Sequence, residues 1–83
     1  MKNYTLIFTI YDKVAEESGG LFEAKNEATA IRMFKNFLKN DIFAKTDYKL
    51  MLLGIFNKEI NKIESKDPEE LIVQWSPAEL GEN

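Results

Sequence analysis

The 83-residue chain predicts an α+β domain. The expected fold is a small antiparallel sheet of four strands, with an optional fifth, and one helix on one face. The order is strand-strand-helix-strand-strand, followed by an acidic C-terminal tail. Three observations carry this. Residues 4–11 (YTLIFTIY) are β-branched and aromatic, a composition that suits a pleated surface. Residues 27–39 place apolar side chains at helical period behind a capping residue. Residues 48–56 (YKLMLLGIF) are almost continuously apolar and contain a glycine, as in a strand buried on both faces.

The first strand ends at Asp12-Lys13 and alternates Tyr4, Leu6, Phe8 and Ile10 on one face with Thr5, Ile7, Thr9 and Tyr11 on the other. The polar stretch DKVAEESGG closes on Gly19-Gly20, a turn signal, so Leu21 to Ala24 read as a short antiparallel second strand. Asn26 is a good N-cap for the helix. Ala30, Ile31, Phe34, Phe37 and Leu38 form its apolar face, with Met33 at the margin. Arg32, Lys35, Asn36 and Lys39 recur at i, i+3, i+4 and i+7 on the polar face. Glu27 near the start and Lys39 near the end complement the helix dipole.

Asn40-Asp41 stop the helix. Strict alternation in the third strand sets Lys49, Met51, Leu53 and Ile55 against Tyr48, Leu50, Leu52 and Phe56. Asn57-Lys58 then suggest a hairpin, because Asn tolerates left-handed backbone, with a fourth strand at 59–64. Asp67-Pro68 mark a break, so residues 1–66 form the domain and 67–83 an acidic segment, partly docked or disordered. Within it, residues 70–75 (ELIVQW) are the optional fifth strand or a docking segment.

A chain of this length is one domain with a thin core. It contains neither Cys nor His, which removes disulfides, thiolate metal sites, the commonest general base and the commonest metal ligand. Gly19-Gly20 lack the residues of a phosphate loop, and Glu16-Glu17 and Glu69-Glu70 lie in polar segments. The expectation is a non-enzyme with no catalytic residues, metal, cofactor or small-molecule substrate. The N-terminal apolar run is too short and too polar to span a membrane, which favours the cytoplasm.

Charge is divided unevenly. Residues 1–66 hold all 11 basic side chains against nine acids, for +2, while residues 67–83 hold five acids and no base, for −5. Terminal blocks of like charge are often interaction tails. The Arg32, Lys35 and Lys39 stripe, with Asn36 as an amide donor, matches a phosphate backbone; an ordinary solvated face is the competing reading. Lys25 and Lys49 extend the set, and Tyr11, on the more polar strand face, is the aromatic best placed to stack on a base. One helix covers one face of a sheet, so the other apolar set, Ile7, Met51, Leu53 and Ile55, needs a cover. A homodimer and the tail folding back are the alternatives.

The stretch IYDKVAEESGGLFEAKNEATAIRMF (residues 10–34), with the later LGIFN, resembles the small non-structural protein of gokushovirus-type microviruses, phages with single-stranded DNA genomes. The likeness covers about two-thirds of the chain, to roughly Glu64. Members of that family are commonly labelled DNA-binding. The resemblance implies single-stranded-DNA binding in genome replication or packaging, in the host cytoplasm. The residues alone leave a homodimeric protein–protein adaptor as the alternative.

Overall fold

The computed structural model describes residues 3–39, 41 and 43–79. Asn40 of the helix stop and Glu82 of the tail lie outside the described residues. The element order is β1 (Tyr4–Asp12), β2 (Glu17–Ala24), α1 (Glu27–Leu38), α2 (Ala44–Asp47), β3 (Tyr48–Asn57) and β4 (Lys62–Glu70). The expected α+β class is corrected: strands of 9, 8, 10 and 9 residues stand against one 12-residue helix and the four-residue α2. The molecule is mostly sheet.

The sheet is antiparallel, ordered β2-β1-β3-β4. Two hairpins flank α1, which carries the chain from the β2 edge across β1 to β3. The first hairpin turns before Gly19-Gly20. Asp12 Oδ1 accepts from the amides of Val14 (2.9 Å) and Ala15 (3.0 Å), and Glu16 takes left-handed backbone (φ 58°). The two glycines instead lie inside β2, where its register with β1 slips. The buried Thr9 hydroxyl lies 3.1 Å from both their carbonyl oxygens. In the second hairpin the left-handed residue is Asn61 (φ 54°), and β4 starts at Lys62.

β4 therefore replaces the expected strand at 59–64 and passes through Asp67-Pro68 without ending. Ser65 pairs with Gly54 and Glu69 with Leu52, so Lys66, Asp67 and Pro68 bulge out of register. Proline, lacking an N–H, is tolerated at such a bulge on an edge strand. β3 is irregular at the same level: Ile7 pairs with Gly54 but Phe8 pairs with Leu52, leaving Leu53 without a partner in either ladder. A Cβ on Gly54 would collide with the Glu64 carbonyl oxygen, so β4 approaches as closely as it does because residue 54 has no side chain.

That bulge inverts the alternation beyond it. Ile55 pairs with Leu6 on the covered face and Phe56 with Thr5 on the open face, the reverse of the strict two-residue period. The core is Phe8, Ala24, Leu50 and Leu52 from the sheet, Ala30 and Phe34 from α1, and Leu71 from the tail. Asn26 caps α1 by accepting the Thr29 amide at 2.8 Å. Phe37 is corrected from core to surface, 73% exposed. The buried row runs Ala30–Phe34, with Leu38 half-buried, and Phe37 sits about 60° off it at about 3.6 residues per turn.

Residues 71–75 form no fifth strand. They run extended beside α1, tied to β3 by the Leu71 amide donating to Leu50 O at 2.9 Å. Leu71 is buried, Val73 and Trp75 pack on the core, and Ile72 and Gln74 face outward. The tail thus widens the helix layer and does not cover the other sheet face.

Candidate nucleic-acid interface

α1 sets the positions of the polar stripe. Arg32, Asn36 and Lys39 are exposed, and they span about 10 Å of axis at about 1.5 Å per residue. Among the described residues, neither Arg32 nor Lys39 has an ion-pair partner. Lys35 differs. Its Nζ lies 3.0 Å from Glu79 Oε1, donates to Gln74 O at 2.5 Å, and stands 5.2 Å from the centre of the Trp75 ring. Trp75 in turn packs on Phe34 with ring centres 6.2 Å apart.

The segment holding Glu79 is built by a reciprocal cap. The Ser76 amide donates to Glu79 Oε1 at 2.8 Å, and the Glu79 amide donates to Ser76 Oγ at 3.3 Å. The Ser76 amide, then the Lys35 ammonium, hold the Glu79 carboxyl below its ordinary pKa. The signal was legible: Ser76-Pro77-Ala78-Glu79 has the Ser-x-x-Glu spacing of a capping box with proline at the first position. Sequence reasoning left it within the acidic segment, partly docked or disordered.

The remaining members of the expected set do not converge on one surface. Lys25 is exposed just before the Asn26 cap. Tyr11 and Lys49 are paired in register across β1 and β3, on the sheet face away from α1, with the ammonium 5.2 Å from the ring centre. The structure thus brings Arg32, Asn36 and Lys39 together, diverts Lys35 to the tail, and separates Tyr11 with Lys49 from all of them. Phe37, missed because its spacing suggested core, is an exposed ring about 100° around the helix from Asn36.

Anionic groups lie near the start of β3. Tyr48 donates to Asp41, and that hydrogen bond, followed by the Asp41 charge, burial, Asp12 and Asp47, pushes its hydroxyl pKa up. Among the described residues no cluster of His, Cys, Asp or Glu is arranged to hold a metal ion, and no helix is long and apolar enough to cross a membrane.

The open face holds Ile7 and Met51 of the expected association set; Ile55 lies on the covered side and Leu53 in the bulge. Around Ile7, Leu21, Phe56 and Ile63 border an apolar groove of about 300 Å³. Thr5 donates to Glu23 Oε1 at 2.7 Å, and Lys58 Nζ lies 3.9 Å from the same oxygen.

No curated protein and no solved structure matches the chain. A family model described as Phage ORF5 protein matches residues 5–78, nearly the whole sequence. The chain, a mostly-sheet domain carrying an outward cationic ridge on its helix, therefore belongs to the Phage ORF5 protein family.

Proposed function

We propose that this phage protein is a non-enzymatic single-stranded-DNA-binding protein of the microvirus type, acting on the genome in replication or packaging in the host cytoplasm. The observation that carries the reading is the ridge of Arg32, Asn36 and Lys39, solvent-facing and without a carboxylate partner among the described residues. Cations at helical spacing neutralise phosphates without reading bases, and Phe37 offers a ring on which a base can stack. Lys35 is a reserve cation: a phosphate that displaces Glu79 from it gains a further contact. The non-enzymatic part rests on the sequence, which lacks both His and Cys.

Fluorescence anisotropy with a labelled single strand tests this. Three phosphate contacts at about −0.7 each give a log–log salt slope of about −2. Arg32→Ala with Lys39→Ala flattens that slope by about 1.4 and weakens binding alike for every base sequence. Binding that is unchanged in the double variant, or insensitive to salt, overturns the proposal. A protein–protein adaptor is the second reading, favoured by the apolar groove of the open face; it expects no binding to the labelled strand at any salt.

A further inference from the structure

We infer that the open sheet face is the interface of a homodimer, with a second copy of this chain packed sheet against sheet. The inference gives the apolar groove of the open face its partner; it is independent of the helix ridge and holds under either reading of the function.

Three features select a second copy. First, the chain's own tail is already engaged on the opposite side, where Leu71 is buried and Trp75 packs on Phe34. Second, the face is apolar at its centre and balanced in charge at its margins. Ile7, Leu21, Phe56 and Ile63 meet in the groove. Lys49 and Lys58 are offset by Glu23, which Lys58 approaches, and by Glu70, which pairs with Met51 on this face. A polyanion finds no cationic excess there, and a strongly charged protein finds no opposite field. A surface carrying both signs can meet its own copy across a two-fold axis, where one patch serves both partners.

Third, the area suffices. Four strands spaced about 4.8 Å apart, each about nine residues long at about 3.3 Å per residue, present a face of about 600 Å². Two copies would cover about 1,200 Å² in total, the lower end of the range for specific interfaces. Leu21 and Ile63, 69% and 65% exposed in the single chain, gain most from cover. Aligned packing of two such faces makes a β-sandwich with the helices outermost.

Sedimentation equilibrium of the full chain at 1–100 µM (roughly the range in which an interface at the lower end of that size class associates) tests the inference. The expected mass is twice 9.6 kDa. Leu21→Lys with Ile63→Lys buries two charges from each copy in the interface and weakens association by about 100-fold. Both sites are exposed in the monomer, so circular dichroism should show an unchanged fold; Ile63→Lys alone is the milder variant should the double one unfold. Ile72→Lys, on the outward side of the tail, leaves the dimer intact. A wild-type chain that stays at 9.6 kDa at the highest concentration, or a folded Leu21→Lys, Ile63→Lys variant that remains dimeric, overturns the pairing. Arg32→Ala with Lys39→Ala keeps the dimer mass, which separates failure of the DNA reading from failure of this one.

Discussion

The covered and open faces of the sheet come from the same four strands, and although Ile7 and Thr9 of the open face are also buried, the large apolar side chains of the two faces are covered unequally. Phe8 on the covered side is 0% exposed, while Leu21, one residue from Phe8's partner Phe22, stands mostly in solvent. α1 and residues 71–75 form the layer over the core, and both lie on one side. The difference teaches that the composition of a strand does not decide which face becomes the core. The single helix decides it, and the tail follows the helix.

The largest test of this contrast is Phe8→Ala against Leu21→Ser in urea denaturation of the dilute, monomeric protein. Removing a fully buried aromatic costs about 3–5 kcal/mol, whereas the exposed leucine should change stability by no more than about 0.5 kcal/mol. Equal losses would mean that the open face is already covered at that concentration.

Gly54→Ala sharpens the comparison at the point where the strands cross from one pattern to the other. The added methyl meets the Glu64 carbonyl oxygen, and backbone crowding of that kind costs about 1–3 kcal/mol. A thermal midpoint equal to wild type would show that β4 retreats without penalty.

The smallest effect concerns the tail that widens the covered side. Because the folded-state pKa of Glu79 is depressed, its contribution is present above the unfolded carboxylate pKa, about 4.3. It is lost as pH falls through the lower folded value. Trp75 is the chain's one tryptophan and packs against Lys35 and Phe34, so its emission should shift to the red as pH is lowered through that window. Glu79→Gln should remove the transition and leave a weaker contact at neutral pH. A variant that titrates like wild type would assign the change to another acid.

How much of this the residues disclosed depended on the range of the forces involved. β1, α1 and β3 announce themselves through local period and capping, and the Arg32, Asn36 and Lys39 ridge follows from helical spacing alone. The fourth strand was expected at 59–64, but its run to Glu70 was hidden because KIESKDPEE lacks an apolar alternation; an edge strand can be held by backbone pairing while its side chains stay charged. The exchange of Ile55 and Phe56 between faces required knowing that Leu53 drops out of register, a property of three strands meeting. Lys35 looked like its neighbours on the helix, but its partner Glu79 lies 44 positions away. Tyr11 and Lys49 were grouped with the ridge because nothing local says which side of β1 a helix will choose.

Both margins of the sheet are spoiled as templates. β2 slips register at Gly19-Gly20, and β4 carries a proline bulge between charged side chains. Such edges discourage another chain from adding sideways by main-chain hydrogen bonding. Growth into a fibril, the hazard of any small exposed sheet, is thereby disfavoured in the strand-stacking direction.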